Sequence, residues 1–337
     1  MRILTLVLFL LVCSCGGKPS SYAPTLQSRT SELYDPASLH ILVWNVLHGA
    51  NDVENGPEEA LRVIKETKPQ VVLLQESYDI DGERPKLGAW LASELGWNQY
   101  QGESTHLCVL TPYEFETTFF HHEWHGVGAK IKDLQGREFL AWSIWIDWRS
   151  YITYELRSNP TISNEALLKC ETEHSCRFNQ ASAIIEHLKD EGQLETDIPL
   201  LVGGDWNCPS HLDWTVDTAR VFKRRRAIQL PVSLAMETAG FTDTYRDIHP
   251  NPVQHPGITW SPMVREKVEN GEVIEQCFDR IDRLYLKNPE QPINGWTLTP
   301  VLADVYPRIW EDHDIPTRNR RFPSDHCAVL IELQWHR

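Results

Sequence analysis

The sequence predicts an α/β sandwich in which two packed sheets are covered by helices. Predicted strands outnumber predicted helices, and the helices fall between pairs of strands. This arrangement lets each sheet bury one face against the other sheet and one face against helices. The first unit is a strand at 39–46, a helix with Pro57 near its start, and the short buried strand "VVLLQES".

The later segments continue this pattern. Consecutive strands are predicted in "LCVLTPYEFETTFF" and "GVGAKIKDLQGREFLAWSIWIDW". A helix follows in "NQASAIIEHLKDEG", where Ile184, Ile185 and Leu188 recur at helical spacing, and it leads into the strand "IPLLVGG". We expect a short helix around "VSLAMETAG" and final strands in "GITWSP", "FDRIDRLYLK" and "HCAVLIELQW".

The N-terminus reads as an export leader. In "MRILTLVLFLLVCSCGG" a basic Arg2 precedes an apolar run that is too short to span a membrane. Its end, "VCSC", resembles a bacterial lipobox, so we expect residues 1–15 to be a lipoprotein signal and Cys15 to be lipidated; ordinary signal cleavage nearby is the alternative. Residues 16–37 are predicted to be a flexible tether and 38–337 one catalytic domain. The predicted location is the bacterial cell envelope, anchored by lipid to the outer or cytoplasmic membrane, as a monomer.

The net charge of the chain indicates which classes of partner it can bind. The formal net charge of −15 argues against nucleic acid, whose binding depends on Lys and Arg that neutralise phosphates. A small molecule or a lipid headgroup suits this surface better.

Six cysteines remain after the leader, and in an exported chain we expect Cys170 and Cys176 to close a small disulfide loop.

Polar side chains follow four of the predicted strands. They are Asn45, Glu76, the pair Asp205 and Asn207 in "GGDWN", and the run "SDH" at 324–326. If these strand ends converge, they form a pocket of carboxylates, carboxamides and one imidazole. Oxygen ligands of this kind suit Mg²⁺, or Mn²⁺, with a substrate phosphate completing the coordination.

The ordered set "WNV", "LLQE", "GGDWN", "DRID" and "PSDH" resembles the endonuclease/exonuclease/phosphatase superfamily. The resemblance covers residues 39–333. It implies a four-layered α/β sandwich with two packed, mainly antiparallel sheets flanked by helices. It also implies a hydrolase that uses Mg²⁺ to promote in-line attack of water on phosphorus.

Roles follow from this resemblance motif by motif. Glu76 would be the principal metal ligand, with Asn45 and Asp325 as further ligands. Asp205 would orient and deprotonate the attacking water, and Asn207 would hold that water or a phosphoryl oxygen.

The histidine of "PSDH" completes the implied machinery. His326 would donate to the phosphoryl oxygen while Asp325 fixes its tautomer and raises its basicity. Asp282 of "DRID" would support the site, or would be a structural hydrogen-bond acceptor.

One position departs from the family pattern. Where many members have a phosphate-contacting His in "NTHLD", this chain reads "SIWIDWRSY" and has Trp145. Strand parity supports this alignment, and an indole can donate one hydrogen bond but carries no charge. His211 is the nearest candidate to compensate, with Asp213 as pocket wall. The histidines of "HHEWH", 121, 122 and 125, are expected in a solvated loop.

The leading hypothesis is therefore an exported, lipid-anchored, Mg²⁺-dependent phosphohydrolase that cleaves a phosphoester or phosphodiester of a small molecule or lipid headgroup. Two alternatives stay open. One is a catalytically impaired surface binding protein of the same fold, suggested by Trp145. The other is an extracellular nuclease, which would need a basic groove.

Overall fold

The computed structural model describes residues 36–82, 85–222, 225–264, 266–269, 271–292, 295–309 and 315–337. The leader, Cys15 and nearly all of the predicted tether lie outside the described residues, so lipid attachment and export stay predictions. Residues 35–337 form one compact unit. Within the described ranges, no helix is both long enough and apolar enough to cross a membrane.

Fourteen strands are described, most of them in two large sheets. They are β1 (Ser38–Asn45), β2 (Val71–Gln75), β3 (Asn98–Tyr100), β4 (Cys108–Thr111), β5 (Glu114–His122), β6 (Gly126–Lys132), β7 (Glu138–Trp145), β8 (Leu200–Asp205), β9 (Thr242–Asp243), β10 (Glu266–Glu269), β11 (Glu272–Glu275), β12 (Asp282–Lys287), β13 (Thr297–Tyr306) and β14 (Ala328–His336).

The described helices lie between these strands. They are α1 (Gly56–Thr67), α2 (Leu87–Leu95), α3 (Ile152–Ser158), α4 (Asn164–Thr172), α5 (Arg177–Asp190), α6 (Val216–Val221), α7 (Pro231–Thr238) and α8 (Thr244–Ile248), with short 3-10 turns at His48–Ala50 and Thr317–Asn319.

Each large sheet has six strands and a parallel pair at its centre. The orders are β13-β14-β1-β2-β4-β3 and β5-β6-β7-β8-β12-β9. Only β1 with β2 and β7 with β8 run parallel among the described pairings of these sheets. Parallel neighbours need a crossover connection, which α1 supplies in the first sheet and α3 to α5 supply in the second. The predicted sandwich of two mainly antiparallel sheets flanked by helices is confirmed.

The sequence of the central strands explains how the sheets stack. Both faces of these strands are buried, one against the other sheet and one against helices, so they read as continuous apolar runs. In β1, Ile41 and Val43 belong to the core between the sheets, whereas Leu42 and Trp44 pack in the cluster that includes α1. The last residues of β1 and β8 meet at one edge of the sandwich, where Asn45 donates to Asp205.

Two sequence predictions were wrong in this part of the molecule, and five described helices, α2, α3, α4, α6 and α8, were not predicted. "GITWSP" forms no strand, because its backbone makes only isolated bridges from Trp260 to Asp279 and His326. Cys170 and Cys176 are not bonded: Cys170 is buried on α4, Cys176 is exposed, and all six cysteines of the described chain are free thiols.

The two glycines that end β8 are required by close packing. A Cβ on Gly203 would lie 2.7 to 2.9 Å from the side chains of Leu73, Val43 and Leu284, in the core between the sheets. A Cβ on Gly204 would lie 1.9 Å from the carbonyl oxygen of Ile144 on the neighbouring strand. The side chains around Gly203 can move more readily than the backbone oxygen beside Gly204.

We therefore expect Gly203→Ala and Gly204→Ala to destabilise the fold unequally. Overpacking a core costs about 1–3 kcal/mol, which we expect for Gly203→Ala, and Gly204→Ala should cost more because it separates β7 from β8. Urea denaturation of the two variants measures this difference. Equal free energies of unfolding would contradict the packing described above.

Candidate active site

Asn45, the last residue of β1, joins the two sheets. Its side chain is fully buried, and its Nδ2 donates to Glu76 Oε1 and to Asp205 Oδ2, both at 3.0 Å. Its Oδ1 accepts from the backbone N–H of Leu47 at 3.0 Å. In this conformation Asn45 connects the two carboxylates as a donor, and its predicted role as a metal ligand stays a prediction.

Glu76 follows β2 directly and is held on several sides. Its φ of 59° lies in the left-handed region that non-glycine residues seldom adopt. Its Oε2 accepts from the N–H of His48 at 3.0 Å, and its own N–H donates to His106 Nδ1 at 3.1 Å. The carboxylate predicted to bind the metal is thus fixed beside Asn45.

Asp205 and Asn207 form the predicted pair at the end of β8. The backbone N–H of Asn207 donates to Asp205 Oδ1 at 2.8 Å, and its Nδ2 donates to Asp205 Oδ2 at 3.1 Å. Asn207 Nδ2 also donates to the carbonyl of Ile146, at the end of β7, at 2.8 Å. Burial and the nearby carboxylate of Asp282 raise the pKa of Asp205 to about 7.

The acid that orients His326 is Asp282, and the prediction of Asp325 for this role was wrong. His326 Nδ1 lies 2.9 Å from Asp282 Oδ2, whereas its Nε2 lies 3.8 Å from Asp325 Oδ1. Antiparallel pairing sets Asp282 of β12 directly opposite Asp205 of β8, which brings Asp282 into the pocket. Asp325 Oδ2 instead accepts from the indole N–H of Trp260 at 3.1 Å.

The surroundings favour a protonated His326. Burial disfavours the imidazolium, but the carboxylates of Asp282, Asp325 and Asp205 outweigh it and raise the pKa of His326 to about 10. The pocket therefore holds a base with a pKa near neutrality beside an acid that stays charged.

The donor set fits a hard divalent cation. The carboxylate oxygens of Asp205 and Asp282 lie within 4.8 Å of each other, beside His326, and Asn45 joins Glu76 to the same group. One oxygen of Asp282 and one of Asp325 are buried with no hydrogen-bond partner among the described residues. Buried carboxylate oxygens without partners are costly, and a cation with its waters would satisfy them.

Trp145 faces the same pocket, as strand parity predicts. It is paired with Asp205 in the parallel register of β7 and β8, and it packs against the core between the sheets, whereas Trp142 and Ile144 pack on the other face of the strand. Its ring meets His106 edge-on at a centroid distance of 5.3 Å. Its indole N–H is buried and has no acceptor within the described chain.

His211 and Asp213 do not have the predicted pocket roles. His211 is engaged by Ser233 at 2.8 Å and Glu237 at 2.7 Å, both on α7. Asp213 is buried in ion pairs with Arg246 at 2.6 Å and Arg280 at 2.9 Å. Both side chains thus fix the loop after β8 to neighbouring elements, and His211 does not compensate for Trp145.

Two histidines near the site were not recognised as such from the sequence. His125, expected in a solvated loop, is half-buried, and its Nδ1 lies 3.1 Å from the carbonyl oxygen of Trp145. His106 was not singled out at all. The one available signal was pairing: β4 runs antiparallel to β2 with Leu74 opposite Cys108, and this register extended by two residues sets His106 opposite Glu76.

The site combines a carboxylate cluster with an acid-paired imidazole at the edge of two stacked sheets. The chain belongs to the Endonuclease/Exonuclease/phosphatase family, whose model matches residues 42–326. Members of this family are hydrolases of phosphoester bonds and are typically dependent on divalent metals.

Individual relatives are similar over most of the chain. An uncharacterized protein of Caenorhabditis elegans is 29% identical over 315 residues, which cover 91% of this chain and 95% of that protein. Among solved structures, a humanized D. rerio TDP2 has a TM-score of 0.54 at 15% identity and covers 88% of this chain and 99% of its own. The human Nocturnin catalytic domain, solved with a sulfate anion, has a TM-score of 0.52 at 13% identity, covering 89% and 95%. At such identities the structural likeness shows the fold.

The buried ion pairs of Asp213 lead to a stability prediction. Burial disfavours the charged carboxylate, yet the surrounding arginines lower the pKa of Asp213 to about 2. Removing one partner of a buried ion pair costs about 3–5 kcal/mol, so Asp213→Asn should lower the free energy of unfolding by that amount. Asp217→Asn is the control, because Asp217 pairs with Arg220 on the surface and such changes usually stay within about 0.5 kcal/mol. Urea denaturation showing equal stability would refute the structural role of Asp213.

Proposed function

We propose that this protein is a Mg²⁺-dependent hydrolase that cleaves a phosphoester or phosphodiester of a small molecule or lipid headgroup by direct attack of water. One observation carries the proposal: Asp205 lies directly opposite Asp282, which contacts His326 at 2.9 Å, and Asn45 joins Asp205 to Glu76 in the same pocket. Pairs of titratable groups whose environments separate their pKa values are typical of acid and base assignments.

The chain's own residues divide the chemistry between them. Asp205 would accept a proton from the attacking water, which Asn207 helps to hold. The Nε2–H of His326 would donate to a non-bridging phosphoryl oxygen, while Asp282 fixes the ring through Nδ1. A divalent cation held by Glu76 and neighbouring carboxylates would neutralise the charge that develops on the phosphoryl group.

The charge of the chain favours a small or lipid-like substrate. A net charge of −15 opposes long polyanions, because their affinity depends on neutralising many phosphates. One D. rerio TDP2 structure is described as complexed with single strand DNA product, so nucleic acid belongs in any substrate panel. Hydrolysis of plasmid or single-stranded DNA at moderate salt, with no turnover of small phosphoesters, would replace this proposal by the nuclease alternative.

Loss of Asp205 or His326 should slow hydrolysis strongly without unfolding the protein. We expect Asp205→Asn and His326→Gln each to lower kcat by about 10³-fold, since each removes a group that acts in the transition state. Bis-p-nitrophenyl phosphate with Mg²⁺ is a suitable first substrate, Asp217→Asn is the matched control on the surface, and EDTA should remove activity that Mg²⁺ or Mn²⁺ restores. Turnover that survives EDTA or the Asp205 change would exclude the proposed mechanism.

The presence of Trp145 supports a second candidate function, in which the protein is a surface binding protein with impaired catalysis. An uncharged indole replaces the charge-assisted contact that a histidine would make to the scissile phosphate, and such contacts are worth a few kcal/mol. We expect Trp145→His to raise kcat/KM by roughly 10²-fold, whereas Trp145→Phe, which keeps an aromatic ring but has neither an N–H nor a charge, should not.

Steady-state kinetics of the two Trp145 variants, with melting temperatures as the control for folding, test this expectation. Efficient turnover by the unmodified protein, with no gain in Trp145→His, would mean that the departure from the family pattern carries no catalytic penalty. Tight binding of a phosphorylated ligand without turnover would support the second candidate.

A further inference from the structure

We infer that His106 is a positioning residue for the metal ligand Glu76, and that it connects this ligand to the turn between β5 and β6. The inference deepens the proposed function and rests on it, because it takes Glu76 to be the residue that binds the cation. His106 precedes β4, and its ring is fully buried.

The hydrogen bonds of the ring define its tautomer. His106 Nδ1 accepts the backbone N–H of Glu76 at 3.1 Å, so this nitrogen carries no proton. The proton therefore sits on Nε2, which donates to the carbonyl oxygen of Trp124 at 3.2 Å. A neutral imidazole in this orientation links the peptide of Glu76 to the turn between β5 and β6.

Packing leaves the ring little freedom to turn. Tyr78 stacks on it at a centroid distance of 5.3 Å, Trp124 lies at 5.2 Å, and the edge of Trp145 lies at 5.3 Å. The neighbouring His125 holds the carbonyl of Trp145. One turn therefore contacts the backbone after β2 through His106 and the end of β7 through His125.

The hydrogen bond between His106 and the N–H of Glu76 matters because the backbone of Glu76 is in an unfavourable conformation. Its φ of 59° is unfavourable for a residue with a long side chain, and such conformations persist where the surroundings over-determine them. The carbonyl of Glu76 accepts from the backbone N–H groups of Gly49 and Tyr78, both at 2.8 Å. His106 supplies the acceptor for the remaining polar group of this residue's backbone, and it thereby helps to fix the direction in which the carboxylate leaves the strand.

Two substitutions separate the two hydrogen bonds of the ring. The Oδ1 of an asparagine lies as many bonds from the backbone as Nδ1 of histidine, so His106→Asn can still accept from Glu76. The Nε2 of a glutamine corresponds in the same way to Nε2 of histidine, so His106→Gln can still donate to Trp124 but leaves the N–H of Glu76 without its acceptor. Both variants lose the aromatic contacts equally.

Isothermal titration of Mg²⁺ into the full-length protein is the decisive measurement, with melting temperatures of every variant recorded alongside. We expect His106→Gln to bind Mg²⁺ at least about 10-fold more weakly than the unmodified protein, the loss usual for outer partners of metal ligands. His106→Asn should bind within about threefold of it, although both melting temperatures fall to a similar extent. His336→Gln, at the exposed end of β14, is the matched surface control.

The remaining outcomes overturn the inference. If His106→Gln is not the weaker binder of the two, or if both lose affinity in proportion to their melting temperatures, His106 is only a packing residue. If the unmodified protein binds no Mg²⁺, this inference and the proposed function fail together. Mg²⁺ binding that is unaffected in His106→Gln removes this inference alone and leaves the proposed function standing.

Discussion

The hydrogen bonds of the Asn45 amide nitrogen are the contacts on which the edge of the sandwich with the candidate site depends. A single NH₂ group donates to one carboxylate from its own sheet, Glu76, and to one from the opposite sheet, Asp205. Without it, the half-buried carboxylate of Glu76 and the buried carboxylate of Asp205 would face each other across the gap. One layer deeper, Gln75 donates to Ser143 at 2.9 Å, again from one sheet to the other. These two polar contacts fix the spacing of the sheets where the apolar core ends.

Buried carboxylates are neutralised by arginines beside the site but are not neutralised within it. Beside the site, Arg280 is buried between Asp213 and Asp243 and pairs with both, so each anion has a cation. Among the described residues of the site, the carboxylates outnumber the cations, and His326 pairs with Asp282. Proteins tolerate such local imbalance mainly where function requires it. The contrast between a neutralised network and an unneutralised pocket, a few residues apart, is the strongest physical argument that the pocket binds a cation.

How much of the fold and of the site could be predicted depended on how far apart in the sequence the interacting residues lie. The strand ends with Asn45, Glu76 and Asp205 were visible because a buried strand followed by a polar residue is a local pattern, and the parity of Trp145 is local too. The partner of His326 was not visible. Asp282 reaches it only because β12 pairs with β8 in a register that the sequence does not reveal. His106 was missed for the same reason. The helices that were not predicted, α2, α3, α4, α6 and α8, have nine residues or fewer, which is too short for a periodic pattern to be recognised.

The central parallel pairs also bear on how such a protein can change over evolutionary time. Strands paired this way cannot be joined by a tight turn, so each pair carries a long excursion whose length is free to vary while the register of the paired strands stays fixed. In the second sheet this excursion, residues 146–199, begins at Ile146, whose carbonyl contacts Asn207. Tyr151 in this connection packs on Trp260, which donates to Asp325, so insertions there would change the surroundings of the site while the paired strands keep their register. New specificities would therefore arise more readily in this connection than in the strands themselves.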